Sequence, residues 1–229
     1  MALYAIGDLH LSLGVEKPMD IFGGAWTDYM KKLEIGMSIL RDEDTVVLMG
    51  DLSWALGLEE AKNDFAWINN LPGRKIILKG NHDYWWCTAK KFHEFCESNG
   101  FTNIHLLHNN HFDYGDMAIC GTRGWFFEEE KSGTHDEKVF KRELLRLEES
   151  LKSAEGKQKI VFLHYPPRYK GYICEEIISI LHKYDVRQCY YGHLHGASHG
   201  LAQEGIWDGI EYKLLSADRL GFCPACIIK

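Results

Sequence analysis

Five short apolar runs, rich in β-branched residues, recur at residues 3–6, 45–49, 75–78, 159–163 and 188–191, and each gives way at once to turn or polar residues. Runs of four or five residues with so little polar alternation suit strands buried on both faces, as in a parallel sheet. Helix-period segments lie between them. Ala61, Phe65 and Ile68 fall at i, i+4 and i+7, and Pro72-Gly73 stops that helix. Trp85, Ala89, Phe92 and Cys96 repeat the pattern, with Asn99-Gly100 as the expected C-cap. Thr134 and Glu137 read as a capping box ahead of Phe140, Leu144, Leu147 and Leu151, and Gly156 ends that helix. Strand and helix in alternation imply an α/β architecture with largely parallel pairing. Past Gly196 the pattern changes: residues 197–203 and 210–215 flank a Gly/Asp turn and predict a hairpin, with 225–228 as a last strand, so antiparallel strands are expected at the end.

No repeat, low-complexity tract or linker marks a boundary, and a single domain over 1–229 is expected. With 26 basic and 33 acidic side chains the net charge is −7, and no Lys/Arg stripe is present. That balance argues against nucleic acid or an anionic membrane as partner, since both are held by basic surface. The longest apolar run, from Met1 to Ile6, is six residues, far short of a membrane span. The N-terminus has no basic region of the kind a secretory signal carries. Seven scattered cysteines, an odd number, read as thiols of a reducing cytoplasm.

The strand ends share one chemistry. Residues 3–6 lead to Gly7-Asp8-Leu9-His10, and 45–49 lead to Gly50-Asp51. The third run leads through Lys79 to Gly80-Asn81-His82-Asp83, the fourth to His164, and the fifth to Gly192-His193-Leu194-His195. In α/β sheets ligands bind beyond the carboxyl ends of strands, where these groups would converge. Glycine before the ligand lets the chain turn sharply and bring a side chain close to an ion. Each motif alone is commonly a turn, an N-cap or a core histidine; the inference comes from the set. Asp8, His10, Asp51, Asn81, His164, His193 and His195 are too many ligands for one tetrahedral zinc and would serve two ions sharing a carboxylate. Imidazole and carboxylate without thiolate suit manganese, iron, zinc, cobalt or nickel. Two divalent ions against two aspartates leave about +2 of formal charge, a positive focus that attracts phosphate.

In this order, the motifs from Gly7 to His195 resemble the calcineurin-like metallophosphoesterase superfamily. The resemblance implies a four-layer α/β fold, two facing mixed β-sheets flanked by helices, and two divalent transition-metal ions, manganese first among them. It implies that Asp8, His10 and His195 hold one metal, that Asn81, His164 and His193 hold the other, and that Asp51 bridges them. A metal-bridging hydroxide would then attack the phosphorus in line, with His82 beside the leaving group as general acid. The resemblance thus implies a phosphoesterase acting on a small phosphorylated molecule such as a phosphodiester or nucleotide. Alternatives are a phosphomonoesterase, a nuclease of the same superfamily, and a non-catalytic scaffold on the same fold. In protein serine/threonine phosphatases the His82 counterpart is oriented by a carboxylate from Gly-Asp-x-x-Asp-Arg-Gly. Here the stretch reads Gly50-Asp51-Leu52-Ser53-Trp54-Ala55-Leu56, which disfavours a protein phosphatase and leaves Asp83 as a candidate orienting group.

Several residues stay open. Arg123, in Gly121-Thr122-Arg123-Gly124-Trp125-Phe126-Phe127 after a strand expected at 117–120, reads as a structural turn or as a contact to substrate phosphate. Arg168, in Tyr165-Pro166-Pro167-Arg168-Tyr169, and the aromatics Trp54 and Tyr84 lie beside ligands in sequence, where core packing and substrate contact are both open. Asn81 could also donate its amide to the substrate. His199 reads as a strand residue, and Cys223 and Cys226 as a C-x-x-C pair without the context of a redox or zinc motif.

Overall fold

The computed structural model describes residues 1–125 and 134–229. It divides into two compact units, residues 1–106 with 215–229, and residues 107–214.

The first unit is built on β1 (Leu3–Ile6), β2 (Thr45–Leu48), β3 (Arg74–Ile77), β4 (Ile104–Leu106) and the last strand of the chain, β13 (Ala225–Ile228), in the order β13-β1-β2-β3-β4. β1 to β4 run parallel, and β13 closes the edge antiparallel to β1. All four residues of β2 are buried, as its Thr-Val-Val-Leu sequence requires of a central strand. Parallel neighbours need crossovers, supplied by α1 (Tyr29–Met37), α2 (Leu58–Asn70) and α3 (Ala89–Asn99). α2 buries Ala61, Phe65 and Ile68, one apolar stripe at helical period. Its last carbonyls and those of the following turn are satisfied by Lys75, whose Nζ donates to Leu71 O, to Gly73 O at 2.8 Å and to Asn69 O at 3.3 Å. Burial pulls that ammonium down to about 8. α3 starts at Thr88, whose hydroxyl accepts from Lys91 N, and ends on left-handed Gly100, whose N–H returns to Cys96 and Glu97. Edge-to-face contacts of Phe65 with Trp85, Phe92 and Phe95, at 4.7–5.9 Å, knit the two helices together.

The second unit contains β5 (Phe112–Tyr114), β6 (Met117–Thr122), β7 (Gln158–Leu163), β10 (Gln188–Tyr191), β11 (Gly205–Trp207) and β12 (Ile210–Leu214) in the order β11-β12-β10-β7-β6-β5. The four inner strands are parallel and both edges antiparallel. β8 (Arg168–Tyr169) and β9 (Tyr172–Ile173) form a separate small hairpin. α4 (Thr134–Ser153) joins β6 to β7 and α5 (Glu175–Lys183) leads into β10. The core gathers Leu147 and Leu151 of α4, Ile177 and Leu181 of α5, and Val161, Leu163, Cys189 and Tyr191 of the sheet.

Both sheets are therefore mixed, with helices in their crossovers, as the alternating pattern predicts. The expected strand over 197–203 is instead a 3-10 helix, Gly196–Leu201, which also carries His199; the outer hairpin arm is β11. All three β11 residues are exposed, so no inward-facing side chain announces that strand. Trp85 stands ahead of α3 rather than inside it, because Thr88 caps the helix. Phe126 and Phe127 lie outside the described residues, as does the Thr134 side chain.

Candidate metal centre

In the first unit, the ladder between β1 and β2 continues past both strands. Asp8 N donates to Gly50 O, His10 N to Asp51 O and Leu11 N to Leu52 O, each at 2.9 Å. Two peptide segments thus leave the sheet side by side with their ligand residues level. Asp8, His10 and Asp51 are buried, and His10 Nε2 lies 3.8 Å from Asp51 Oδ2. The third loop is drawn onto this pair: His82 N donates to Asp51 Oδ1 at 2.8 Å. Gly80 makes that approach possible, since a Cβ there would stand 2.1 Å from Asp51 Oδ1 and 2.2 Å from Asp51 N. Asn81 and His82 follow, both half-buried.

Asp83 binds the two loops together. Its buried carboxylate accepts from Gly80 N at 2.6 Å and Asp51 N at 2.9 Å through Oδ2. Through Oδ1 it accepts from Leu52 N at 2.8 Å, Trp85 Nε1 at 2.9 Å and Ser53 N at 3.4 Å. Charge-assisted bonds of this kind are among the stronger ones in a protein. Around His82 stand two aromatic residues: the Trp54 ring centroid at 4.6 Å, and Tyr84, whose hydroxyl is 3.5 Å from Nδ1.

In the second unit the chemistry sits at the carboxyl ends of three adjacent parallel strands, β6, β7 and β10. The register sets Arg123, His164 and Gly192 level: His164 N donates to Arg123 O at 3.1 Å, and Gly192 N to His164 O at 3.0 Å. His164 is fully buried, and its ring lies 5.2 Å from that of His193, edge to face. Tyr165 packs against both histidines. Leu194 turns into the core between half-buried His193 and His195, and anchors the pair. His195 is the residue on which the Gly196–Leu201 turn begins.

Arg123 pairs with Glu143 of α4. Glu143 is buried, accepts from Thr122 Oγ1 and Arg146 Nη1 at 2.8 and 2.7 Å, and lies 3.6 Å from Arg123 Nη2. Neither Glu143 nor Arg146 carries a sequence signal, because their meeting with Arg123 depends on α4 crossing the end of β6. Arg168 is buried, bonded to Gln203 and Asp208 and packed by Trp207 and Tyr212. Cys223 and Cys226 are exposed thiols, and none of the seven cysteines is in a disulfide.

Nine non-glycine residues among those described have positive φ, and four of them are Asp8, His10, Asp51 and His193. A left-handed backbone costs on the order of 1 kcal/mol at such a residue and persists where the surroundings impose it, commonly at functional sites. Strain concentrated on four of the seven expected ligands, together with buried carboxylates and imidazoles, fits residues shaped to hold divalent cations. Asp8, His10, Asp51 and Asn81 in the first unit and His164, His193 and His195 in the second are the side chains that could do so.

Strand ends bearing aspartate, asparagine and histidine fit a metal-dependent phosphoric ester hydrolase, the class of the family that the chain matches. Residues 1–197 match the calcineurin-like phosphoesterase family, and the chain belongs to that family. No curated protein matches it. Among solved structures, it is similar to a protein of unknown function, AQ665 from Aquifex aeolicus, at 17% identity, with 98% of this chain and 95% of that one covered and a TM-score of 0.54. It is also similar to the phosphopantetheinyl hydrolase PptH from Mycobacterium tuberculosis, at 13% identity, 94% and 88% coverage and a TM-score of 0.57. Both likenesses concern the fold. No helix among the described residues is long and apolar enough to cross a membrane.

Proposed function

We propose that this chain hydrolyses a small phosphorylated molecule, a phosphodiester or nucleotide, at a centre of two divalent metal ions. The observation that carries the reading is the coincidence of left-handed backbone with ligand positions at Asp8, His10, Asp51 and His193. Asp8, His10 and His195 are assigned to one ion, Asn81, His164 and His193 to the other, and Asp51 to both. When bound, such ions neutralise phosphoryl charge and make water nucleophilic near neutral pH. Their donor set suits manganese, and also iron, zinc, nickel or cobalt.

The protein's own groups do the rest. Asn81 would give its carbonyl oxygen to a metal and its amide to a phosphoryl oxygen. Arg123, paired with Glu143, supplies a planar donor face to the same group. Arg168, occupied by Gln203 and Asp208, is assigned to holding the β11–β12 hairpin. His82 protonates the departing oxygen. Net charge of −7 favours a small substrate over a nucleic acid.

The test is hydrolysis of bis(p-nitrophenyl) phosphate and p-nitrophenyl phosphate by metal-stripped protein after adding back manganese, zinc, nickel or magnesium. Metal content is measured alongside. Activity restored by metal at two ions per chain, with the diester preferred, is the expected result. Full activity in the stripped protein, or failure to bind any divalent ion, would overturn the reading.

A further inference from the structure

The position that carries the second aspartate in Gly-Asp-x-x-Asp phosphatases is Trp54 here. Trp54 is itself tightly fixed. Its N–H donates to Leu11 O at 3.0 Å, its Nε1 to Met19 Sδ at 3.4 Å, and the Lys17 ammonium lies 3.4 Å above the ring. The indole stacks on His10 at 4.8 Å, nearly parallel, and meets the His82 ring at 4.6 Å, tilted by 49°. Tyr84 approaches His82 from within its own loop, edge to face at 6.1 Å between centroids. That loop is anchored twice, by Tyr84 N donating to His82 O at 2.8 Å and by His82 N donating to Asp51. An imidazole held at its backbone, against one ring face and beside a phenol oxygen at Nδ1 has little freedom left about its side-chain torsions.

We infer that Trp54 and Tyr84 are positioning residues that set the His82 imidazole for proton delivery, the indole face fixing the ring plane and the Tyr84 hydroxyl engaging Nδ1. This rests on the general-acid assignment of His82 made above. In the step concerned, the bond from phosphorus to the leaving oxygen breaks and its electron pair stays on that oxygen. The oxygen takes the proton from His82 Nε2, while Nδ1–H stays directed at Tyr84 Oη; water later returns the proton to the ring. Misaligning the ring therefore matters in proportion to how badly the leaving group needs a proton. A ligand or folding defect, by contrast, slows every substrate alike.

The experiment compares kcat/KM for methyl p-nitrophenyl phosphate, whose leaving group departs unaided, and methyl phenyl phosphate, whose leaving group needs protonation. The corresponding monoesters serve if the enzyme prefers them. The proteins are wild type, His82→Ala, Trp54→Leu, Trp54→Phe, Tyr84→Phe and the double variant Trp54→Leu/His82→Ala, all with metal content measured. General acids contribute about 100-fold or more, so His82→Ala should lose about that on the phenyl ester and far less on the nitrophenyl ester. Trp54→Leu should lose about 10-fold on the phenyl ester and at most about 2-fold on the other, with Trp54→Phe and Tyr84→Phe smaller in the same sense. The double variant should be no slower than His82→Ala, because both changes remove one function. Equal losses on both esters in Trp54→Leu, or an additive double variant, would overturn the positioning role. If His82→Ala shows no leaving-group dependence, the general-acid assignment fails, and the positioning role with it. Trp54→Phe keeps an aromatic ring in the core, so the comparison survives if Trp54→Leu folds poorly.

Discussion

Exchanging Asp83 for asparagine isolates the bonds that tie the Gly80 loop to the Asp51 loop, because the side chain keeps its shape and leaves no cavity. In the native structure Oδ2 receives two backbone N–H groups and Oδ1 receives two backbone N–H groups and an indole N–H. Asparagine has one acceptor oxygen. Whichever way the amide is turned, its NH₂ faces at least the two donors on one side, and these stay buried without an acceptor. A hydrogen bond to a charged group is worth about 1.5–3 kcal/mol, and a buried donor left unmet costs its full desolvation. Two such losses amount to roughly 3–6 kcal/mol, a large share of the ~5–15 kcal/mol that stabilises a typical domain. The orientation that strands fewer donors puts the NH₂ on the Oδ2 side, facing Gly80 N–H and the N–H of Asp51, whose φ of 49° needs outside support, so metal affinity should fall with stability. The assay is urea unfolding of the metal-free protein, with metal content measured separately. A Asp83→Asn variant less than about 1 kcal/mol below wild type would refute the reasoning, since the loops would then be held by something other than this carboxylate.

Three further outcomes are expected. Gly80→Ala forces a methyl to within 2.1 Å of Asp51 Oδ1 and should cost about 1–3 kcal/mol or more together with metal binding, whereas Gly200→Ala, with open space around it, should be near neutral; thermal melts and metal analysis of the two decide it. Asp51→Asn removes the charge assigned to both ions and should lower metal stoichiometry and turnover together; retained metal at wild-type stoichiometry would count against that assignment. Burial pushes the Cys96 thiol up to about 11 and the Cys120 thiol up to about 12. From about pH 9 the unfolded chain releases these protons while the folded chain keeps them, so stability falls by ~1.4 kcal/mol per pH unit for each thiol until its folded value is reached. Lys75, lowered to about 8, works the other way between about pH 8 and its ordinary 10.5, where the unfolded chain holds the extra proton. Cys120→Ala should flatten the alkaline fall measured by urea unfolding at stepped pH; an unchanged slope would contradict the burial argument.

What the sequence makes legible follows from how local each signal is. β2 and β10 are readable because strands buried on both faces leave short, largely apolar runs. α1 and α5 escape notice because each is nine residues long, though α5 carries Glu175 and Glu176 in its first turn and His182 and Lys183 in its last, a charge order that favours a helix. β11 escapes because nothing in it faces a core. At the site, glycine before a ligand is a visible sign of tight turns. The service of Asp83 is not visible, since its partners are backbone amides that look identical in every sequence. Glu143 likewise meets Arg123 only through the crossing of α4, and the stack of Trp54 on His10 depends on two loops leaving the sheet in step.

Leu3 pairs with Ile228, Tyr4 with Cys226, and Gly7 is held on both sides by Leu215 O and Ala217 N. The strand that leads to Asp8 is thus completed by a segment more than two hundred residues further along the chain. Residues 107–214 are contiguous in sequence, whereas the first unit joins 1–106 to 215–229, so the peptide carrying Asp8 gains its second flank only from residues 215–217. Chain order therefore separates making the histidine-bearing strand ends from finishing the aspartate-bearing ones. A chain cut back to residues 1–214 should resist protease over 107–214 while its first hundred residues are cut.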